Sequence, residues 1–585
     1  MTKKIITVST AVCAAALASA QTHPNVLFIL TDDQGWGDVG IHGNKYIETP
    51  AINSLYQQSV VMDRFMASPL SAPTRASILT GRYHLRTGVS SVQSGLENMN
   101  PEETTMAELF REAGYATGCF GKWHNGTYYP YTPNGQGFDE FLGFCCGHWA
   151  NYFNPVLQVN EDIITGEGYI TDIFTDAAIR FIEDHKDGPF FCYVPYNAPH
   201  SPFQVPDEYY NHYKDIPAAN ERDQKILASI YGMVECVDHN ISRLLDVLDR
   251  NGLRENTIVV YMSDNGPVHV ERYNGGMKGG KGTVHEGGVR VPCYFNWEGH
   301  LEHRIVTEPH AHIDLLPTLM ELCGIKDYTT AFPLDGISMA PALRGEPDPY
   351  CERKIFTHRR MKEMQPFVGA VRTDRYRLAV LGNDDVRLYD MFADPGQHND
   401  IFSENEELGL SLYEDYKAWY GSASKGVAET VTVVPVGYPQ APQVRIPAPE
   451  GEMHGRLKCY GYPNQNWVNH FMEEEDSICF TIGVVNPGKY SISVEYSNSS
   501  DEGKALVSYR CGKFRSTEEL PQFMTEFRYS PDRYPRDEAP DMTWSKCRVG
   551  TVKLPTGEYP LKVYVKGVKD KDAVRIKTIV IDKIQ

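Results

Sequence analysis

The chain has 585 residues, of which 41% are hydrophobic and 23% charged. That length exceeds one simple core, so two or three globular domains are expected. The net charge of -20 excludes a general nucleic-acid-binding surface, which needs a basic face.

The first residues carry Lys3 and Lys4, then an apolar run over 5–17, then Ala18-Ser19-Ala20 and Gln21. This is the pattern of a secretory leader over 1–20, cut after Ala20, and it predicts an exported protein, periplasmic or secreted. The run is too short for a membrane anchor, Cys13 lacks a lipoprotein context, and no later segment reads as a transmembrane span. The remaining cysteines are scattered, with only Cys145 and Cys146 adjacent. Without repeated Cys-x-x-Cys spacing they read as small buried residues, with room for a few disulfides.

Residues 25–30 (NVLFIL) form a continuous apolar run, as in a strand buried on both faces of a parallel sheet. It ends in Asp32 and Asp33, and the end of such a strand is where α/β sheets place ligands. A helix over 49–65 runs into a short strand. The loop Ser71-Ala72-Pro73-Thr74-Arg75 follows, with Thr80-Gly81 downstream. Proline disfavours a helical residue before it, so Ser71 is expected at the entrance of a helix that begins after Pro73.

Residues 106–113 read as a helix and 115–120 as a second apolar strand, which runs into Gly121-Lys122-Trp123-His124. In an extended segment Lys122 and His124 share a face. A helix over 172–185 precedes the strand 189–195 (PFFCYVP), which ends in Ala198-Pro199-His200. The longest amphipathic helix spans 223–250. The strand 257–262 (TIVVYM) ends in Ser263-Asp264-Asn265-Gly266. Residues 274–290, with Lys278, Lys281 and Glu286, carry too many glycines for a stable helix and read as a loop. A helix over 313–322 follows.

Short strands with tight turns over 354–391 predict an antiparallel sheet, closed by a helix over 404–420. Residues 421–450 hold prolines 435, 439, 442, 447 and 449 and read as a linker or an extended strap. Alternating strands through 456–585 predict an all-β sandwich.

The strand-end residues share a chemistry. Asp32, Asp33, Asp264 and Asn265 are hard oxygen ligands, which suit Ca²⁺ or Mg²⁺ rather than zinc or copper. Three carboxylates set against a divalent cation, Arg75, Lys122 and Lys281 leave the pocket net positive, so its ligand is expected to be an anion. His124 and His200 can move protons near neutral pH. Hydrolysis of a sulfate or phosphate ester fits this set.

Over roughly residues 25–400 the chain resembles the type I sulfatases of the alkaline phosphatase superfamily. The resemblance rests on Ser71-x-Pro73-x-Arg75 with Thr80-Gly81, on Thr31-Asp32-Asp33, Gly121-Lys122-Trp123-His124, Ala198-Pro199-His200, Ser263-Asp264-Asn265-Gly266 and Gly280-Lys281-Gly282, and on the Glu286 to Pro292 run. It implies an α/β fold with a mixed sheet flanked by helices, a small antiparallel-sheet subdomain and a C-terminal all-β sandwich. The boundaries expected are 1–20 (leader), 21–345 (catalytic domain), 346–420 (antiparallel subdomain and closing helix), 421–450 (linker) and 451–585 (sandwich).

The resemblance further implies that Ser71 is oxidised to formylglycine by a sulfatase-maturating enzyme before export. The cation would be held by Asp32, Asp33, residue 71, Asp264 and Asn265. One hydroxyl of the hydrated aldehyde would attack sulfur, deprotonated by Asp264. His200 and Lys281 would assist the departing alcohol, His124 would release sulfate through the second hydroxyl, and Arg75 and Lys122 would hold the charge. Asn125 departs from the leucine common after the histidine. His148 and Asn151 are candidates for substrate contact. Export and the sandwich point to a sulfated carbohydrate. A phosphonate or phosphate ester hydrolase, and a catalytically inactive glycan-binding protein, remain open on the sequence.

Overall fold

A computed structural model describes residues 23–268, 270–349, 352–361, 368–427, 433–460, 465–500, 504–536 and 538–584. The expected leader over 1–20 lies outside these residues. Among the described residues no helix is long and apolar enough to cross a membrane, and every cysteine is a free thiol, most of them buried.

The molecule is organised on a ten-stranded mixed sheet. Its centre is four parallel strands: β1 (Asn25–Thr31), β2 (Ala116–Lys122), β3 (Phe190–Pro195) and β4 (Thr257–Ser263). β1 pairs with β4 on one side and β3 on the other, and β3 pairs with β2. The apolar run of β1 divides by alternation. Val26, Phe28 and Leu30 enter one core and Leu27 and Ile29 the other, because helices cover both faces. The long helix Glu221–Arg250 belongs to the second of these cores.

Parallel pairing brings four strand ends to one edge. Thr31 pairs with Ser263, so the next residues, Asp32 and Asp264, emerge side by side. The helix α1 (Ser71–Thr80) reaches this edge with all of its residues buried. It starts at Ser71, ahead of Pro73 rather than after it. Pro73 is tolerated because the first helical N–H groups have no intrahelical partner to lose. Gly81 ends the helix with φ 66°, a left-handed conformation suited to glycine, and its N–H bonds the Ser77 carbonyl.

Two further units flank the sheet. Ile355–His358, Gly369–Arg372, Tyr376–Val380 and Val386–Asp390 form a four-stranded antiparallel sheet that shares a core with the helix Glu406–Ala423. The C-terminal residues form two sheets around a separate core of valine, isoleucine and tyrosine. The proline-rich segment expected as a linker contributes to both. Val434–Val436 pairs with Ser477–Val484, and Gln443–Pro447 pairs with Val574–Lys583. Pro435 fits because its strand is at a sheet edge, where a missing N–H costs no ladder bond.

The small antiparallel sheet is pinned to the glycine-rich loop by buried charge. Glu286 Oε2 accepts from Arg377 Nε at 3.0 Å and from its terminal nitrogen at 2.7 Å, with Arg372 Nε 3.4 Å away. Burial raises the Glu286 carboxyl, but Arg377 and Arg372 overcome this and hold it at about 2. Loss of that carboxylate strands two buried guanidinium groups. E286Q should therefore cost about 3–5 kcal/mol in the urea transition of the full chain at neutral pH. Because the folded-state value is depressed, the wild-type contribution is present above about pH 4.5 and fades as pH falls towards 2. An unchanged urea midpoint in E286Q would contradict this.

Candidate active site

Apart from His148 and Asn151, each predicted residue sits at or just beyond the carboxyl edge of a central strand, on α1, or in the glycine-rich loop. Asp32 and Asp33 follow β1, Lys122 ends β2, His200 follows β3, and Asp264 and Asn265 follow β4. Asp32, Asp33, Ser71, Arg75, Lys122, Asp264 and Asn265 are all buried. The side chains of His200 and Lys281 keep 17% and 16% of their exposure, which puts them on the open side of the site.

Arg75 is the hub. Its guanidinium donates to Asp32 Oδ2 and Asp264 Oδ2, each at 3.0 Å, and to the Lys122 carbonyl at 2.6 Å. Lys122 Nζ pairs with Asp32 Oδ2. Lys281 Nζ lies 2.6 Å from Asp33 Oδ1 and 2.8 Å from Oδ2, and His200 Nε2 lies 3.8 Å from Oδ2. Asn265 Nδ2 donates to Asp33 Oδ1 at 2.8 Å, which turns its own Oδ1 towards Ser71.

Ser71 Oγ is 3.3 Å from Asp32 Oδ1 and 3.2 Å from Asn265 Oδ1. Three oxygens thus converge around a single hydroxyl proton. Asp32, Asp33 and His200 also bring ligand atoms within 4.8 Å of one another. Burial raises the Asp32 carboxyl, yet Lys122, His200, Arg75 and Lys281 together hold it well below the usual carboxylate range. Asp264 goes the other way: burial, then the charge of Asp32, push it up to about 6. A cluster of oxygens short of protons, with one carboxylate strained by its neighbour, fits a hard divalent cation.

The two predicted histidines are both held neutral. Burial, then Lys281 and Lys122, bring His200 down to about 4, and its Nδ1 donates to the Ser201 carbonyl at 2.7 Å. Burial, then Lys122, hold His124 well below its usual value. His124 does not continue the strand. Its φ of 65° is left-handed, and its Nε2 donates to the Val92 carbonyl at 2.9 Å. Its Nδ1 is buried without a hydrogen-bond partner among the described residues.

Three further residues singled out in the sequence lie around this centre. Asn125 is fully buried and donates to the Ala72 carbonyl at 3.1 Å, so it braces α1. Asn151 is buried as well. Its Nδ2 donates to the Tyr529 carbonyl at 3.0 Å and its Oδ1 accepts from the Phe153 N–H at 3.3 Å. His148 is half-buried, with its ring 5.9 Å from that of His200. Sequence reasoning missed Thr74, whose Oγ1 donates to the Asp264 carbonyl at 2.7 Å and ties α1 to the end of β4. A threonine one position before the arginine carries no signal of such a long-range bond.

The Sulfatase family profile matches residues 24–325. The uncharacterized sulfatase YdeN of Escherichia coli (strain K12) is 31% identical over 389 residues, which span 56% of this chain and 68% of that protein. The N-acetylgalactosamine-6-sulfatase of Mus musculus is 31% identical over 380 residues, spanning 58% of this chain and 70% of that protein. Among solved structures, Ps i-CgsB in complex with k-i-k-neocarrahexaose superposes with a TM-score of 0.63 at 28% identity, covering 70% of this chain and 95% of that one.

The His124 ring leaves no room beside it. A Cβ on Gly147 would stand 2.1 Å from His124 Nε2. Gly147→Ala should therefore displace the ring, shift its NMR resonances, and cost about 1–3 kcal/mol on denaturation. Unmoved His124 resonances in that variant would contradict the packing described.

Proposed function

The chain belongs to the sulfatase family and is a sulfate ester hydrolase, and on that premise we propose that it desulfates a sulfated carbohydrate using a formylglycine made from Ser71. The observation that carries this is the position of Ser71 Oγ, between Asp32 Oδ1 and Asn265 Oδ1 at the buried head of α1. Oxidation of its hydroxymethyl group supplies a hydrated aldehyde, whose second hydroxyl lets a sulfated intermediate collapse where a plain serine could not. A divalent cation, Ca²⁺ or Mg²⁺, held by Asp32, Asp33, residue 71, Asp264 and Asn265, supplies Lewis-acid polarisation of the sulfate oxygens.

The chain's own residues do the rest. Arg75 and Lys122 fix Asp32 and set a positive field beside residue 71, where an oxyanion gathers charge. Asp264 can accept the proton of the attacking hydroxyl. Lys281 stands on the more open side, where the alcohol leaves. Burial lowers its affinity for a proton, but Asp33 and Asp32 raise it more, so it stays an ammonium able to donate. His200 lies on the same side, with its Nε2 3.8 Å from Asp33 Oδ2 and its Nδ1 held by the Ser201 carbonyl. His124, with Nε2 committed to Val92, offers Nδ1 to take the proton that releases sulfate.

The carbohydrate class is supported by relatives. One is an N-acetylgalactosamine-6-sulfatase by name, and Ps i-CgsB was solved with k-i-k-neocarrahexaose. Export through the leader over 1–20, after maturation of Ser71 by a sulfatase-maturating enzyme, completes the proposal.

Protein co-produced with a maturase should yield a Ser71 peptide two hydrogens lighter than encoded. It should release sulfate from an aryl sulfate faster than it turns over the matching aryl phosphonate. Faster phosphonate turnover would replace the sulfatase reading with the phosphonate hydrolase one. An unmodified Ser71 in active protein would remove the formylglycine. Ser71→Ala should lower turnover by about 10⁴-fold or more and leave the unfolding transition in place, since the side chain is small and the loss is of the nucleophile. Chelation should silence the enzyme and Ca²⁺ or Mg²⁺ restore it; activity that survives chelation would exclude the cation.

A further inference from the structure

Between the catalytic sheet and the C-terminal sheets lies a cleft of about 560 Å³, within the size range of small-ligand sites. It is bordered by chain segments that continue from active-site residues. The segment after His124 contributes Thr127 and Tyr129, and the segment that carries His148 contributes Trp149 and Asn151. The opposite wall comes from the C-terminal sheets and from residues 520–536 and 538–544, which leave them as an arm between the strands Phe514–Glu519 and Ser545–Leu554.

The arm is clamped to the rim of the active site. Asn151 Nδ2 donates to the Tyr529 carbonyl at 3.0 Å, and Arg536 donates to the Ala150 carbonyl at 2.5 Å. Gln204 links Tyr152 to Asp532, at 2.8 Å on each side. Phe203, three residues beyond His200, donates its N–H to the Tyr534 hydroxyl at 3.3 Å. The cleft is therefore built in fixed register with the centre around residue 71.

Its lining has the chemistry of a saccharide site. Three half-buried aromatic side chains, Tyr129, Trp149 and Trp544, border it. Each is backed by another ring, Tyr438 at 4.9 Å, Phe144 at 4.9 Å and Trp467 at 5.8 Å between centroids, which leaves them rigid. Between them stand ion pairs that can exchange hydrogen bonds with hydroxyl groups: Arg445 with Glu495 at 2.5 Å and Arg528 with Asp541 at 3.5 Å. Lys577 Nζ lies 5.8 Å from the Trp544 ring centre. Rigid aromatic faces with paired donors and acceptors suit a pyranose, which has an apolar face and a polar rim. Arg445 and Arg528 are already paired with carboxylates, and Lys577 Nζ donates to the Gln465 carbonyl, so all three cations are held in place within the lining.

We propose that this cleft is a further glycan subsite, which takes sugar units adjoining the sulfated ring and holds them against Trp544 and Trp149. The sandwich thereby becomes part of the substrate site rather than a structural cap. The proposal rests on the reading of the enzyme as a carbohydrate sulfatase.

Its test uses the matured full chain, with 4-nitrophenyl sulfate and with sulfated hexasaccharides prepared from carrageenan and from chondroitin 6-sulfate. In Trp544→Ala, kcat/KM for the better hexasaccharide should fall about tenfold, chiefly through KM, the scale of one lost aromatic contact. The aryl sulfate, too small to reach the cleft, should change less than about twofold on the same grounds, and Trp544→Phe should recover most of the hexasaccharide rate. Equal losses on both substrates would mean a structural effect and overturn the proposal, as would no loss on either. The reading beneath it fails separately: wild-type enzyme that cleaves the aryl sulfate but no hexasaccharide is not a carbohydrate sulfatase and has no such subsite.

Discussion

One buried guanidinium holds this site in shape. Arg75 bonds a carboxylate from the end of β1, a carboxylate from the end of β4 and a carbonyl from the end of β2. It stands one helical turn after Ser71, so the same contacts fix where residue 71 lies. Each of these charges costs several kcal/mol to bury alone, and only dense mutual pairing makes the arrangement tolerable. Thr74 and Asn125 add neutral bonds on either side of the arginine. The head of α1 is thus bound to three strand ends by groups that are useless apart.

The same crowding prepares the chemistry. Asp32 is driven towards its charged form by Lys122, Arg75 and Lys281, while Asp264 is driven towards its neutral form by burial and by Asp32. Adjacent carboxylates with opposed tendencies are a usual basis for dividing charge stabilisation from proton transfer. A cation bound among them would relieve the repulsion and leave Arg75, Lys122 and Lys281 in excess, so that a protein of net charge -20 would present a site for an anion. The more distant units serve this centre too. The Glu286 cluster positions the loop that carries Lys281, and the C-terminal arm fixes the segments that carry His148 and His200.

Much of this was legible in the sequence, for physical reasons. The four central strands announce themselves because both faces of a parallel sheet are buried, which requires unbroken apolar runs. The residues after those runs then read as a set. The resemblance from Thr31 to Pro292 supplied roles that spacing alone did not. Other features were hidden. The start of α1 at Ser71 rather than beyond Pro73 depends on an exemption for proline in the first turn. The strands around Pro435 and Pro447 looked like linker because edge strands tolerate what central strands do not. The left-handed turn at His124, and the commitment of Asn151 to Tyr529, depend on partners far along the chain. No local pattern encodes such a contact.

The central claim is that the oxygens of Asp32, Asp33, Asp264, Asn265 and residue 71 enclose one divalent cation. Crystals of the matured enzyme grown with Mn²⁺ in place of Ca²⁺ or Mg²⁺ would test it by anomalous scattering. The account predicts one strong peak in contact with those five residues and with none of the acidic clusters elsewhere on the surface. A featureless map at that point, with peaks only at surface carboxylates, would contradict it.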